Sequence, residues 1–153
     1  MKHVALFLTI IAAFTIHAES DRRTMHKDLV RKLYESINTG RIEDIKALLD
    51  KDVEGGSEQF LANITSLREG FPDIRFTIED LIAEGDRVAV RWEWTATHTG
   101  TFRGVAPTNK RIENAGIAIY QFRDGRIIRN WVQTDRLGAL QQMGVLPSPG
   151  SPR

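Results

Sequence analysis

The chain has 153 residues, with 21 Lys and Arg against 20 Asp and Glu and a formal net charge of +1. Charges this balanced and interspersed exclude the basic stripe of a nucleic-acid binder and the long charged block of a disordered tail. The absence of cysteine excludes disulfides, thiolate chemistry and the lipid attachment of a bacterial lipoprotein.

At the N-terminus, Lys2 and His3 precede an apolar run from Val4 to Ile16, followed by His17-Ala18-Glu19. A basic start, a hydrophobic run and a small residue at a cleavage point predict a signal peptide over residues 1–18. The run is shorter than the ~20 apolar residues a membrane span needs; an uncleaved anchor is the other reading. The expected protein is therefore exported, periplasmic or secreted, and free of the membrane after cleavage. One domain over residues 19–146 is long enough for a real core. The tail, residues 147–153, has no apolar side chain to bury and is expected to be disordered.

From about Thr24 to Thr39 the residues Leu29, Leu33 and Ile37, with Val30 and Tyr34 beside them, fall at helical spacing, and Gly40 is a C-cap. Ile42 to Leu49 predicts a second, short helix. After Gly55-Gly56, Ser57 is placed to cap a third, with Phe60, Ile64, Leu67 and Phe71 on one stripe. Pro72 stops it.

Beyond Pro72 the period becomes alternating. Strands are expected over Ile74 to Ala83, Arg87 to Thr99, Arg111 to Arg123 and Ile127 to Thr134. Glu84-Gly85-Asp86 makes the first turn, and Asp124-Gly125 is a tight-hairpin signal. A loop with Gly100, Gly104 and Pro107 joins the middle strands, and a terminal helix runs from Arg136 to Met143. Helices followed by a meander of strands argue α+β. The architecture expected is a curved, mostly antiparallel sheet on three N-terminal helices, with a short C-terminal helix. Several strands are apolar on both faces, so a homodimer through the outer face is expected.

On the final strand, Ile127, Arg129, Trp131, Gln133 and Asp135 share a parity, as do Ile128, Asn130 and Val132. With Trp131 facing the hollow, Gln133 and Asp135 follow it to the open end. A carboxylate walled by aromatic rings loses hydration and becomes a competent proton acceptor. Asp135 also immediately precedes the terminal helix, where Asp is a preferred N-cap, and a capping carboxylate is a poor base. His98 reads either as a proton partner at the cavity mouth or as a cap for loop groups between Gly100 and Pro107. Trp92, Trp94 and Trp131 are pocket walls or ordinary core. Gly116 and Ala118 opposite them leave room for a modest apolar cavity, while Arg91 and Glu93 have the outer parity. No ligand spacing for a metal occurs, nor a nucleophile elbow, Walker loop or dinucleotide fingerprint.

One ordered series covers about half of the chain. It runs Phe71-Pro72-Asp73, Gly85-Asp86-Arg87-Val88, Thr97-His98-Thr99-Gly100-Thr101-Phe102-Arg103-Gly104, Pro107-Thr108-Asn109-Lys110, Asp124-Gly125-Arg126-Ile127-Ile128 and Trp131-Val132-Gln133-Thr134-Asp135. In order and spacing it resembles the SnoaL-like polyketide cyclase (ester cyclase) family, a branch of the cone-shaped α+β folds similar to nuclear transport factor 2. The resemblance implies an enzyme in which Asp135 is the general acid/base of an aldol-type ring closure, and it implies no metal or organic cofactor. The candidate site is then Asp135 with His98 as catalytic groups, and Trp92, Trp94, Trp131, Gln133, Tyr34 and Phe60 as the residues that hold a small apolar carbonyl compound. The chain departs from the family pattern in three places. A histidine usual after the second helix is absent from Asp52-Val53-Glu54-Gly55-Gly56. Arg129-Asn130 stands where glutamate often precedes the last tryptophan, and Asn109 replaces a turn glycine. Two other functions remain open: a non-catalytic binding module with the same cavity, and a dimer-forming protein whose cone is filled by its own side chains.

Overall fold

The protein is described by a computed structural model covering residues 2–147, with side chains from residue 17 onward. Residues 148–153 of the expected tail lie outside it, as do the side chains of the expected signal segment up to residue 16.

Helix α1 runs without a break from Lys2–Thr39, so helix begins well before the expected Thr24. The apolar run of the N-terminus is itself compatible with helix. Among the described residues no helix is long and apolar enough to cross a membrane. His26, Val30, Leu33, Tyr34 and Ile37 of α1 form a buried stripe at helical spacing. Gly40, at φ 71, ends the helix, and the Arg41 N–H reaches back to the Ser36 carbonyl at 2.9 Å, the geometry of a left-handed glycine stop. Arg68 closes the same end, donating to the carbonyls of Ile37 at 2.7 Å and Asn38 at 3.2 Å.

Helix α2, Ile42–Leu48, buries Ile45 and Leu48. The chain then runs beside the last strand: Asp50 N–H donates to Ile127 O at 2.9 Å and Glu54 N–H to Ile128 O at 2.8 Å. Helix α3, Ser57–Gly70, begins with Gly56 at φ 82 as N-cap and no side-chain cap, so Ser57 sits inside the helix rather than capping it. A positive φ at that corner suits glycine and excludes serine there.

Strands β1 (Arg75–Glu84), β2 (Arg87–Thr97), β3 (Arg111–Arg123) and β4 (Arg126–Thr134) form one antiparallel meander in the order β1-β2-β3-β4, and helix α4 covers Arg136–Met143. The result is the expected α+β architecture, a curved sheet on N-terminal helices. Asp124 and Gly125 take φ 49 and 72 in the β3–β4 turn, and Asn109 takes φ 56 in the long loop, a conformation asparagine tolerates. The inner face of β2 is sealed: Val88, Val90, Trp92, Trp94, Ala96 and His98 are all buried. Each such aliphatic or aromatic side chain contributes roughly 1.5–3 kcal/mol by burial. On the outer face Arg91 pairs with Asp80 at 2.6 Å, with Glu79 and Glu93 near 3.9 and 3.8 Å.

Candidate active site

The last strand changes face partway along. Tyr120 pairs with Asn130 and Gln121 with Arg129, but Phe122 pairs with Ile127, so Ile128 is an extra residue in β4. Such a bulge reverses the alternation beyond it. Ile127 points inward with Phe122, and from there Asn130, Val132 and Thr134 take the inner face beside Tyr120, Ala118 and Gly116. Trp131 and Gln133 therefore lie on the outer face, opposite to their expected orientation. Trp131 is 41% exposed and sits between the guanidinium groups of Arg87 and Arg129, 5.5 and 5.4 Å from its ring centroid. Arg129 is ion-paired with Glu54.

The other predicted wall residues are packed into protein. Trp92 and Trp94 are buried and pack around Phe76, edge-on and tilted, at 5.2 and 6.4 Å between centroids. A Cβ on Gly116 would collide with the Trp92 ring and stand 2.5 Å from Gln133 O. The small residue thus accommodates a ring rather than a cavity. Tyr34 is buried with its hydroxyl 3.3 Å from that of Tyr120. Burial, the neighbouring Tyr120 and their hydrogen bond hold the Tyr34 phenol well above its usual range; burial pushes Tyr120 up to about 12. Both are neutral hydroxyls. Phe60 is half-buried against the core.

His98 is fully buried behind Phe71, whose ring centroid is 5.1 Å away. Its Nδ1 lies 3.1 Å from Thr108 Oγ1, and Nε2 has no partner among the described residues. Burial lowers its pKa, keeping the imidazole neutral. It ties down the loop through the Thr108 side chain, and the structure does not bring it to Asp135 at an open mouth.

Burial across the inner face is unequal. In the row Leu81, Val90, Ala118, Val132, the β2 valine is 0% exposed and the β4 valine 47%. Thr134 is exposed, while Asn114, Gly116 and Asn130 are half-buried. The cone is filled on its β1–β2 side and along Ile112, Ala118, Tyr120 and Phe122 of β3, and uncovered along the second half of β4. Two surface depressions lie elsewhere, one of about 480 Å3 by Lys51 and Gly55–Gln59 and one of about 220 Å3 by Gly40 and Arg68.

Asp135 stands at the end of this uncovered strip, exposed, as the N-cap of α4. Its Oδ1 accepts the Gly138 N–H at 2.8 Å. Its N–H donates to Ala115 O at 3.2 Å, and its carbonyl accepts from Asn114 Nδ2 at 3.2 Å and Ala139 N–H at 3.3 Å. Among the described residues Oδ2 meets no donor. Asp135 is thus a cap through Oδ1 and also presents a carboxylate oxygen without a donor among the described residues. Gln142 fastens the other half of α4, bonding both the N–H and the carbonyl of Glu113 at 2.8 Å. Val132 and Thr134 escaped notice in the sequence because parity counted straight through Ile128 assigns β4 to the wrong face, and Asn114 because its bonds to Thr134 and Asp135 cross from β3. No group of three or more His, Cys, Asp or Glu side chains suited to a metal occurs among the described residues.

A curved antiparallel sheet wrapped on helices, with a carboxylate where the last strand meets the last helix, defines the cone-shaped α+β class of nuclear transport factor 2. Within that class the chain belongs to the SnoaL-like polyketide cyclase family, whose model matches residues 27–143. It is 27% identical to the aklanonic acid methyl ester cyclase DnrD of Streptomyces peucetius, over 76% of this chain and 89% of that one. Among solved structures it is similar to AclR, a putative hydroxylase from Streptomyces galilaeus, with 27% identity, TM-score 0.77 and coverage of 86% and 87% of the two chains. It is likewise similar to IdmH, a putative polyketide cyclase from Streptomyces antibioticus, with 29% identity, TM-score 0.69 and coverage of 78% and 98%. One fold thus carries relatives described by different reactions, so the site has to argue the chemistry.

Proposed function

We propose that this chain is a cofactor-free acid–base catalyst acting on a small apolar carbonyl compound. The step is an aldol-type ring closure or a related isomerisation or lyase reaction. Asp135 Oδ2 takes a proton from the carbon alpha to one carbonyl, the enolate adds to a second carbonyl, and the proton returns to the new alkoxide. Substrate and ring-closed product then have the same composition. The observation that carries this reading is the single free carboxylate oxygen of an otherwise fully bonded Asp135, beside the uncovered strip of Gly116, Val132 and Thr134. General base catalysis of this kind contributes ~10²–10⁴-fold, and positioning supplies more.

Aklanonic acid methyl ester, the compound in the name of the curated relative, is a suitable first probe. The expected outcome is a product of unchanged mass and altered retention, formed by the wild type and slowed at least about a hundredfold by Asp135→Asn. An Asp135→Asn variant as fast as the wild type contradicts the mechanism.

A second reading, non-catalytic binding of a small apolar ligand, is supported by the packed β1–β2 side and by an Asp135 without aromatic walls. Native mass spectrometry of freshly purified protein separates the two, since a retained ligand that survives unchanged favours binding. The proposal includes pairing of two copies through the outer sheet face, supported by the exposed Ile82, Ile117, Ile119 and Trp131. A monomeric mass in light scattering contradicts that pairing. It also includes export by residues 1–18, for which N-terminal sequencing of protein from the periplasm or medium, starting at Glu19, is the test.

A further inference from the structure

Gly138 lies in the first turn of α4, a helix of eight residues, and is not among the glycines with positive φ. A helical glycine without a conformational need is less stable than alanine at the same place. Its reason is spatial. A Cβ there would stand 2.8 Å from Asp135 Cγ and closer still to Oδ2. The carboxylate packs against the bare Cα, where the Gly138 N–H donates to Oδ1 at 2.8 Å. An ordinary N-cap needs only the N–H, and any residue but proline supplies it at that position.

Asn114 works on the other side of the same residue. Its Nδ2 donates to Asp135 O at 3.2 Å, and its Oδ1 accepts the Thr134 hydroxyl at 3.1 Å. One β3 side chain thereby ties the last residue of β4 to the first carbonyl of the strand-to-helix turn. Asp135 is fixed through its backbone by Asn114 and through one carboxylate oxygen by Gly138.

We propose that Asn114 and Gly138 are positioning residues for Asp135, leaving Oδ2 as its one atom free to accept a proton. The proposal rests on the proton-acceptor reading of Asp135 for its functional consequence, though not for its geometry. The test uses the full chain and two readouts. Three-bond couplings to the Asp135 Cβ protons report its rotamers: one rotamer in the wild type, several in Gly138→Ala and Asn114→Ala. The second readout uses 5-nitrobenzisoxazole. A base removes its carbon-bound proton while the ring N–O bond breaks, giving an open-chain nitrile phenolate with no other reactant. Both variants are expected to lower kcat about ten- to a hundredfold, since small misplacements have effects of that size, with KM within about twofold. In Gly138→Ala the better helix propensity of alanine offsets the loss of the Asp135 cap bond, so the melting temperature changes little, and a merely structural cap would leave kcat unmoved. Asn114→Asp, which retains the acceptor for Thr134 and loses the donor to Asp135, follows Asn114→Ala. One unchanged rotamer in both variants overturns the proposal, as does wild-type kcat in both while Asp135→Asn is inactive. If Asp135→Asn instead turns over the probe at the wild-type rate, the proton-acceptor reading fails, and the couplings alone decide the positioning.

Discussion

The two halves of the cone are built from the same strand pattern and end in different states. Across the row that contains Ala118, Val90 is sealed and Val132 is half open. The difference comes from what lies over each strand. On the β1–β2 side α1 and the aromatic group of Phe71, Trp94, Phe76 and Trp92 fill the hollow. On the β4 side the segment after α2 covers only the beginning of the strand, bonding Ile127 and Ile128, and the second half runs on uncovered to Asp135. The same sheet therefore serves as core at one side and as accessible surface at the other. Apolar alternation alone does not distinguish the two.

The sharpest way to break this comparison is to remove a ring from the filled side. Phe71 is 1% exposed and touches Trp94, His98 and Phe102. Phe71→Ala should lower unfolding stability by about 3–5 kcal/mol, read by urea denaturation; a loss below about 1 kcal/mol would mean that the filled side is looser than described. The matched pair Val90→Ala and Val132→Ala sharpens it further. Deleting the same two methyl groups should lower stability by about 2 kcal/mol at Val90 and by less than about 0.5 kcal/mol at Val132. Equal losses would erase the distinction between the halves.

Much of this was legible in the sequence, where the signal is local. The limits of β3 and α4 follow from alternation and helical spacing, and the turn at Asp124-Gly125 from two residues that accept positive φ. The site was legible only in part. Asp135 was visible because it closes a strand and opens a helix, both readable nearby. The face of β4 was not, because the bulge at Ile128 accompanies hydrogen bonds to Asp50 and Glu54, more than 70 residues away in the chain. Nor was the filling of the hollow, since Trp92 meets Gly116 only through the β2–β3 register.

The smallest expected effect concerns pH and tests the packed core of the cone. His98 lies behind Phe71 and His26 stacks on Phe122, and burial lowers the pKa of each. The folded state favours the neutral rings, so the unfolded chain takes up protons first. The stability they support is complete above the unfolded value of 6.5 and falls as pH drops below it towards the lower folded values, by at most ~1.4 kcal/mol per pH unit for each ring. Asp73 is lowered chiefly by the Thr97 N–H, so its contribution is present above 3.8 and lost as pH falls below that. Melting temperatures from pH 8 to pH 3 should thus decline in two stages. A flat profile from pH 7 to pH 5 would contradict the burial of the two imidazoles.

The most direct measurement of where function resides is amide chemical-shift mapping with aklanonic acid methyl ester or an unreactive analogue. The account predicts perturbations concentrated at Asn114, Gly116, Val132, Thr134 and Asp135, with Tyr34, Trp94 and His98 unmoved. Perturbations centred on Tyr34, Trp94 and His98, with Val132 and Thr134 silent, would contradict it.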